Sequence, residues 1–322
     1  MRILVLGAGG VGGYFGGRLA AGGVDVTFLV RARRAAELAR DGLVLRSPLG
    51  DLQIEVEAVE RVDESFDVVI LSCKSYDLEG AMAAIAPAVG RGALVLPLLN
   101  GFRHLDALDA RFGPQRVLGG CCHIGVTLSA DGAIEHLNAI ARFIYGPRAK
   151  EQEARCDALL AELSRGGFAP VLSADIEREL WEKFAFLTTY AGLTCLMRAS
   201  IGAVAETDDG AAIAAELLGE CGAVAAASGF PLRPEFLAQS HAAVTERGSA
   251  GTSSMLRDLL RGGPTEHDHI LGDMLTRARA QNVAAPILRV ARAHMQAYEA
   301  TRRALATGND ALELKDGGGS KA

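Results

Sequence analysis

The sequence predicts an α/β domain followed by an all-α domain. Three observations carry that expectation. The chain opens on a short apolar run, Ile3-Leu4-Val5-Leu6, which passes directly into Gly7-Ala8-Gly9-Gly10-Val11-Gly12 and then into a small-residue helical stretch, Tyr14 to Ala21. Apolar runs alternate with helical stretches as far as residue 173. From Asp175 onward the helical period dominates and strand signals become few. The expected division is 1–174 for the α/β domain, 175–308 for the helical domain and 309–322 for a mobile tail.

The opening stretch reads as strand, tight turn and helix, the context that makes Gly-x-Gly-x-x-Gly a dinucleotide-binding fingerprint. Gly7 permits the turn, Gly9 admits a pyrophosphate close to the backbone, and Gly12 lets the helix pack on the strand. Free N–H groups at the helix start, from Gly10 and Val11 onward, then face an anion. The first domain is accordingly expected to be of the Rossmann type. A second strand, Asp25 to Val30, ends at Arg31, with Arg33 and Arg34 close behind. An acidic residue there would bond the ribose 2′-hydroxyl of NAD, whereas guanidinium groups bind a 2′-phosphate. The expected cofactor is NADP(H).

Segments 42–47 and 52–58 read as short strands around Pro48-Leu49-Gly50. Phe66 to Cys73 contains the continuous run Val68-Val69-Ile70-Leu71, which suits a strand covered on both faces. Lys74 follows its end. A helix over 81–89 leads to a strand over 93–99, which ends at Asn100-Gly101. Ligands in open α/β sheets lie beyond the carboxyl ends of strands, so Lys74 and Asn100 are both candidates. Taken alone, each is better explained by a simpler reading, Lys74 as a solvated strand end and Asn100-Gly101 as a plain turn dipeptide. Strands over 116–127 and 132–146, a helix over 151–165 and a strand over 168–173 close the domain.

The helical domain opens on a stripe formed by Ile176, Leu180, Phe184, Leu187 and Ala191. Lys183 falls on that stripe, and Arg178 and Glu182 are expected on the solvated face. A lysine so placed either snorkels to water or enters a polar pocket as a proton donor. Helices are expected at about 207–228, 233–246, 253–261, 266–281 and 286–305. Thr252-Ser253-Ser254 and Gly263-Pro264-Thr265-Glu266 read as helix starts, with Thr265 as an N-cap. His267 and His269 face different sides of a helix, which is poor geometry for a shared metal.

The net charge of −6 over 322 residues argues against a general nucleic-acid binder. Six scattered cysteines form neither a disulfide framework nor a zinc pattern, and no metal is expected. No apolar run is expected to reach membrane-spanning length, so no membrane association and a cytoplasmic location are expected.

Taken together, the motifs resemble those of the ketopantoate reductase (2-dehydropantoate 2-reductase) family. The resemblance rests on Gly7-Ala8-Gly9-Gly10-Val11-Gly12, Ser72-Cys73-Lys74, Leu99-Asn100-Gly101, Glu179-Leu180-Trp181-Glu182-Lys183, and Ser253-Ser254-Met255-Leu256-Arg257-Asp258 with Glu266. It extends to about residue 305. It implies that Lys183 is the general acid, protonating a ketone oxygen as hydride arrives from NADPH, and that Lys183 also attracts the substrate carboxylate. It further implies cofactor contacts for Lys74, Asn100, Gly125 and Glu266, with Asn100 and Glu266 also at the reacting centre, and substrate contacts for Ser254 and Ser253. The family pattern has asparagines where this chain has Leu187, Ala191, Ile201 and Gly251. Those departures point toward a bulkier or more apolar 2-keto acid or ketone than ketopantoate. Thr188, Thr189 and Tyr190 are candidates to restore polarity. The expected activity is NADPH-dependent reduction of a 2-keto acid to a 2-hydroxy acid, with a homodimer plausible. A 3-hydroxy acid dehydrogenase and a non-catalytic NADP(H) sensor are the alternatives.

Overall fold

The computed structural model describes residues 1–307, so the tail expected from residue 309 lies outside the described residues. The chain forms two compact units, Met1–Phe184 and Ala185–Ala322. The division lies inside one long helix, whereas the sequence reading puts it near residue 174. The reason is packing: Ile176 and Leu180, in the first turns of that helix, belong to the apolar core of the first unit.

The first unit comprises, in order, β1 (Arg2–Leu6), α1 (Gly10–Ala21), β2 (Asp25–Leu29), α2 (Ala32–Asp41), β3 (Leu43–Arg46), β4 (Leu52–Ile54), β5 (Glu57–Val59) and β6 (Val68–Leu71). It continues with α3 (Leu78–Gly90), β7 (Leu94–Pro97), α4 (Arg103–Phe112), β8 (Gly119–Leu128), β9 (Ile134–Gly146), α5 (Glu153–Leu163), β10 (Ala169–Leu172) and the start of α6 (Ile176–Met197). Among the described residues, β5-β2-β1-β6-β7 form one parallel sheet, in that order. β6 and β7 are buried along their whole length, as expected for strands with both faces covered. A second, mixed sheet runs β10-β9-β3-β4, with β8 antiparallel to β9.

Helix α1 lies between the two sheets, and its glycines explain how. A Cβ at Gly16 would stand 2.7 Å from the Phe28 ring on β2. A Cβ at Gly17 would stand 2.7 Å from Leu43 on β3, and one at Gly13 would strike Ile134 on β9. The small residues on both flanks let one helix serve two sheets.

The second unit contains the rest of α6, then α7 (Ile201–Ala205), α8 (Gly210–Ala227), α9 (Pro234–Val244), α10 (Ser254–Leu260), a π-helical turn (Asp268–Gly272), α11 (Asp273–Ala280) and α12 (Pro286–Ala306). α4 and α7 escaped the sequence reading. α8 also corrects it, because this helix is long and apolar enough to cross a membrane, with a mean hydropathy of 1.4 over 18 residues. Its Ala214, Leu217, Leu218, Cys221, Val224 and Ala225 recur at helical spacing and are buried. That spacing gives the helix one buried face.

Candidate active site

The glycine loop has the geometry that its spacing predicts. Gly7 sits at φ +92°, and its N–H donates to the Leu29 carbonyl at 2.9 Å. Gly12 allows no side chain, since a Cβ would collide with the Ser72 hydroxyl and the Gly7 carbonyl. Gly9 is the N-cap of α1, and a Cβ there would meet nothing within 4 Å. The first turn of α1 has neither a side-chain cap nor an acidic residue. An uncapped helix start behind an open glycine turn fits a pyrophosphate. Ala8 is buried, and its carbonyl accepts from Arg34 Nε at 3.2 Å.

Arg31, the N-cap of α2, is 86% exposed and pairs with Asp77 across 3.1 Å. Lys74 follows β6 and precedes a short 3₁₀ turn, Ser75–Asp77. Asn100 follows β7. β2, β1, β6 and β7 are parallel neighbours, so the glycine loop, Arg31, Lys74 and Asn100 share one edge of the sheet.

Lys183 is half-buried, and its ammonium donates to the Cys122 carbonyl at 2.7 Å. Glu182 corrects the sequence reading: it is 1% exposed, because α6 is enclosed on more than the one apolar stripe. Arg178 is held by Asp175 at 2.7 Å. Trp181 packs on Phe102 with ring centroids 4.9 Å apart. Around the ammonium, burial pushes the Cys121 thiol up to about 11 and raises Cys122 as well, so neither is a thiolate nucleophile. Burial, reinforced by Lys183 and Arg142, brings His123 down to about 4. His123 is therefore neutral at physiological pH.

Strand β8 links this ammonium to the glycine loop. Its register on β9 shifts between Ile124 and Val126, at Gly125. Opposite that irregularity β9 makes an excursion over residues 137–140. His136 braces it, with Nδ1 2.8 Å from the Ser47 hydroxyl and Nε2 3.0 Å from the Ile140 carbonyl. A Cβ at Gly125 would stand 2.9 Å from Asn138 Nδ2. Val126 in turn lies against Gly10, 3.1 Å from where a Cβ would be. One strand thus meets Lys183 at Cys122 and the glycine loop at Val126. No sequence motif signals the Cys122 carbonyl, the Val126 contact or the Arg31–Asp77 pair, since each depends on which strands lie side by side.

In the second unit, Ser253 caps α10, accepting from the Leu256 N–H at 3.0 Å and from the Thr194 hydroxyl at 2.8 Å. It is 4% exposed, so its hydroxyl is engaged in capping, while Ser254 beside it is half-buried. Thr265 is not the expected N-cap. Its N–H and hydroxyl both donate to Glu299 Oε1, at 2.8 and 2.9 Å, and the helical segment opens only at His267 with a π-turn. Burial alone would raise the Glu299 carboxyl, but the Thr265 bonds and Arg302 outweigh it and hold it below the usual range. This buried carboxylate fixes the segment that carries Glu266.

Of the asparagine positions, Ala191 and Ile201 are fully buried and Leu187 is half-buried. Thr188 and Thr189 are also fully buried. Gly251 accepts from the Ile201 N–H at 3.0 Å, and a Cβ at Gly251 would collide with the Tyr190 hydroxyl. Tyr190 therefore fills the space that a side chain at position 251 would need. Among the described residues, no group of three His, Cys, Asp or Glu is arranged to hold a metal.

Two family models match the chain: ketopantoate reductase PanE/ApbA over residues 3–150 and ketopantoate reductase PanE/ApbA C terminal over residues 175–299. The chain belongs to the ketopantoate reductase PanE/ApbA family. Members of this family are oxidoreductases that interconvert a CH–OH group and a carbonyl. An uncharacterized oxidoreductase, YkpB of Bacillus subtilis, is 38% identical over 303 residues, covering 94% of this chain and all of that one. A 2-dehydropantoate 2-reductase of Halobacterium salinarum is 30% identical over 90% of this chain and 96% of its own. Among solved structures, a PanE/ApbA family ketopantoate reductase from Ralstonia eutropha superposes with a TM-score of 0.83 at 26% identity, covering 94% of this chain and all of that one. A D-mandelate dehydrogenase solved with NADH and anilino(oxo)acetate shares the fold, with a TM-score of 0.85 at 23% identity and the same coverage.

Proposed function

We propose that this protein is an NADPH-dependent reductase of a 2-keto acid, with Lys183 as the general acid. The observation that carries the proposal is the half-buried Lys183 ammonium, held at 2.7 Å by the carbonyl of a strand that also touches the glycine loop. When bound, the nicotinamide cofactor supplies the hydride. The loop Gly7 to Gly12 and the uncapped start of α1 would hold the pyrophosphate, Arg31 the ribose 2′-phosphate, and Lys74, Asn100, Gly125 and Glu266 further contacts. Negative charge develops on the carbonyl oxygen as the carbon is reduced, and the Lys183 Nζ stabilises that charge and donates a proton to it. Ser254 is the candidate substrate hydroxyl.

The substrate we propose is more apolar than ketopantoate. Leu187, half-buried, stands where the family pattern has an asparagine and cannot hydrogen-bond a polyfunctional acid, which lowers discrimination in favour of one. The test is NADPH consumption over 2-keto acids of graded size, ketopantoate included. Turnover that rises toward branched or aromatic 2-keto acids supports the reading. Cofactor binding without turnover across the whole panel overturns it in favour of a sensor.

A further inference from the structure

The three arginines after β2 are not equivalent. Arg34 is fixed by the Ala8 carbonyl at 3.2 Å and by Glu37 at 3.1 Å. Arg33 lies 3.7 Å from the same Glu37. Arg31, which stands where this fold reads the ribose 2′ position, is held by Asp77 at 3.1 Å. Asp77 comes from the turn after β6, and β6 flanks β1 on the side away from β2. The pair thus bridges two strand ends across the mouth of the glycine loop, with both side chains at the surface, 86% and 43% exposed.

We propose that Asp77 sets the coenzyme preference by competing with the ribose 2′-phosphate for Arg31. A 2′-phosphate that engages the Arg31 guanidinium either displaces the carboxylate or shares the guanidinium with it, and in both cases lies beside it as a like charge. A 2′-hydroxyl brings no charge and leaves the ion pair undisturbed. Arg34 is a poor substitute, because Glu37 and the Ala8 bond orient it inward, and the exposed Arg33 has Glu37 as a carboxylate neighbour of its own. The chain therefore discriminates against NADH less than its three arginines suggest. This inference rests on the dinucleotide site of the proposed function.

The experiment is calorimetric titration of the full-length protein with NADPH and with NADH, for the native sequence, Asp77→Asn, Arg31→Ala and the double variant. Asp77→Asn is expected to shift the ratio of the two Kd values toward NADPH by roughly two- to fivefold, the scale of one exposed charge interaction. The shift should vanish in the Arg31→Ala background and shrink at high salt. An unmoved ratio in Asp77→Asn, or the same shift without Arg31, overturns the inference while leaving the proposed function intact. Failure of the native protein to bind either coenzyme overturns both.

Discussion

Lys183 Nζ lies 2.7 Å from the carbonyl oxygen of Cys122, four residues before the valine that packs on the glycine loop. A backbone carbonyl orients the ammonium without neutralising it, which leaves the charge available to a developing oxyanion. Lys183→Ala is expected to keep coenzyme affinity and to lower kcat by roughly 10²- to 10⁴-fold, the usual contribution of a general acid. Steady-state kinetics on the best 2-keto acid, beside calorimetric coenzyme binding, separates the two effects. Native turnover in the variant would remove Lys183 from the chemistry.

Gly12 meets Ser72 and the Gly7 carbonyl with no room for a methyl group. The Ser72 hydroxyl is itself bonded to the Leu6 carbonyl at 3.0 Å, so it cannot turn away without losing that bond. Gly12→Ala should cost about 1–3 kcal/mol of stability, as overpacked sites do, and should weaken coenzyme binding by displacing the start of α1. Thermal denaturation and titration together would show it. An unchanged melting temperature would mean that the loop yields more readily than its contacts indicate.

His123 gives a pH signature. Its folded pKa of about 4 lies below the ordinary 6.5, so between those values the unfolded chain binds a proton that the folded chain refuses. Its contribution to stability is complete above pH 6.5 and is lost as pH falls toward 4. His123→Gln should lose less stability than the native chain on acidification through that window, by up to roughly 3 kcal/mol. Parallel denaturation series at pH 7 and pH 4.5 measure the difference. Identical pH dependence in the two chains would contradict the lowered pKa of the His123 imidazole.

Tyr190 and Gly251 should be coupled. Gly251→Ala drives a methyl group into the Tyr190 hydroxyl and should destabilise the protein by about 1–3 kcal/mol. Tyr190→Ala opens that space, so the double variant should recover much of the Gly251→Ala loss. The double-mutant cycle then yields a coupling of about 0.5–3 kcal/mol. Additive effects would show that the two positions are independent.

The local features were legible in the sequence because their chemistry is local. The strand-turn-helix signature from Ile3 to Ala21, the buried runs of β6 and β7, and the loss of strand signals after residue 175 are short-range patterns, and they gave the fold class and the family. The tertiary structure decided what depends on partners distant in sequence. Phe28, Leu43 and Ile134, brought in from both sheets, explain the glycines of α1. Pairing of β8 with β9 set the Gly125 irregularity, and packing of Ile176 and Leu180 set where the first unit ends. Only the folded chain puts Asp77 on Arg31, Glu299 under Thr265 and Tyr190 against Gly251. Hydrophobic period and glycine spacing repeat over a few residues and can be read along the chain, whereas a hydrogen bond or an ion pair exists only once folding has brought its two halves together.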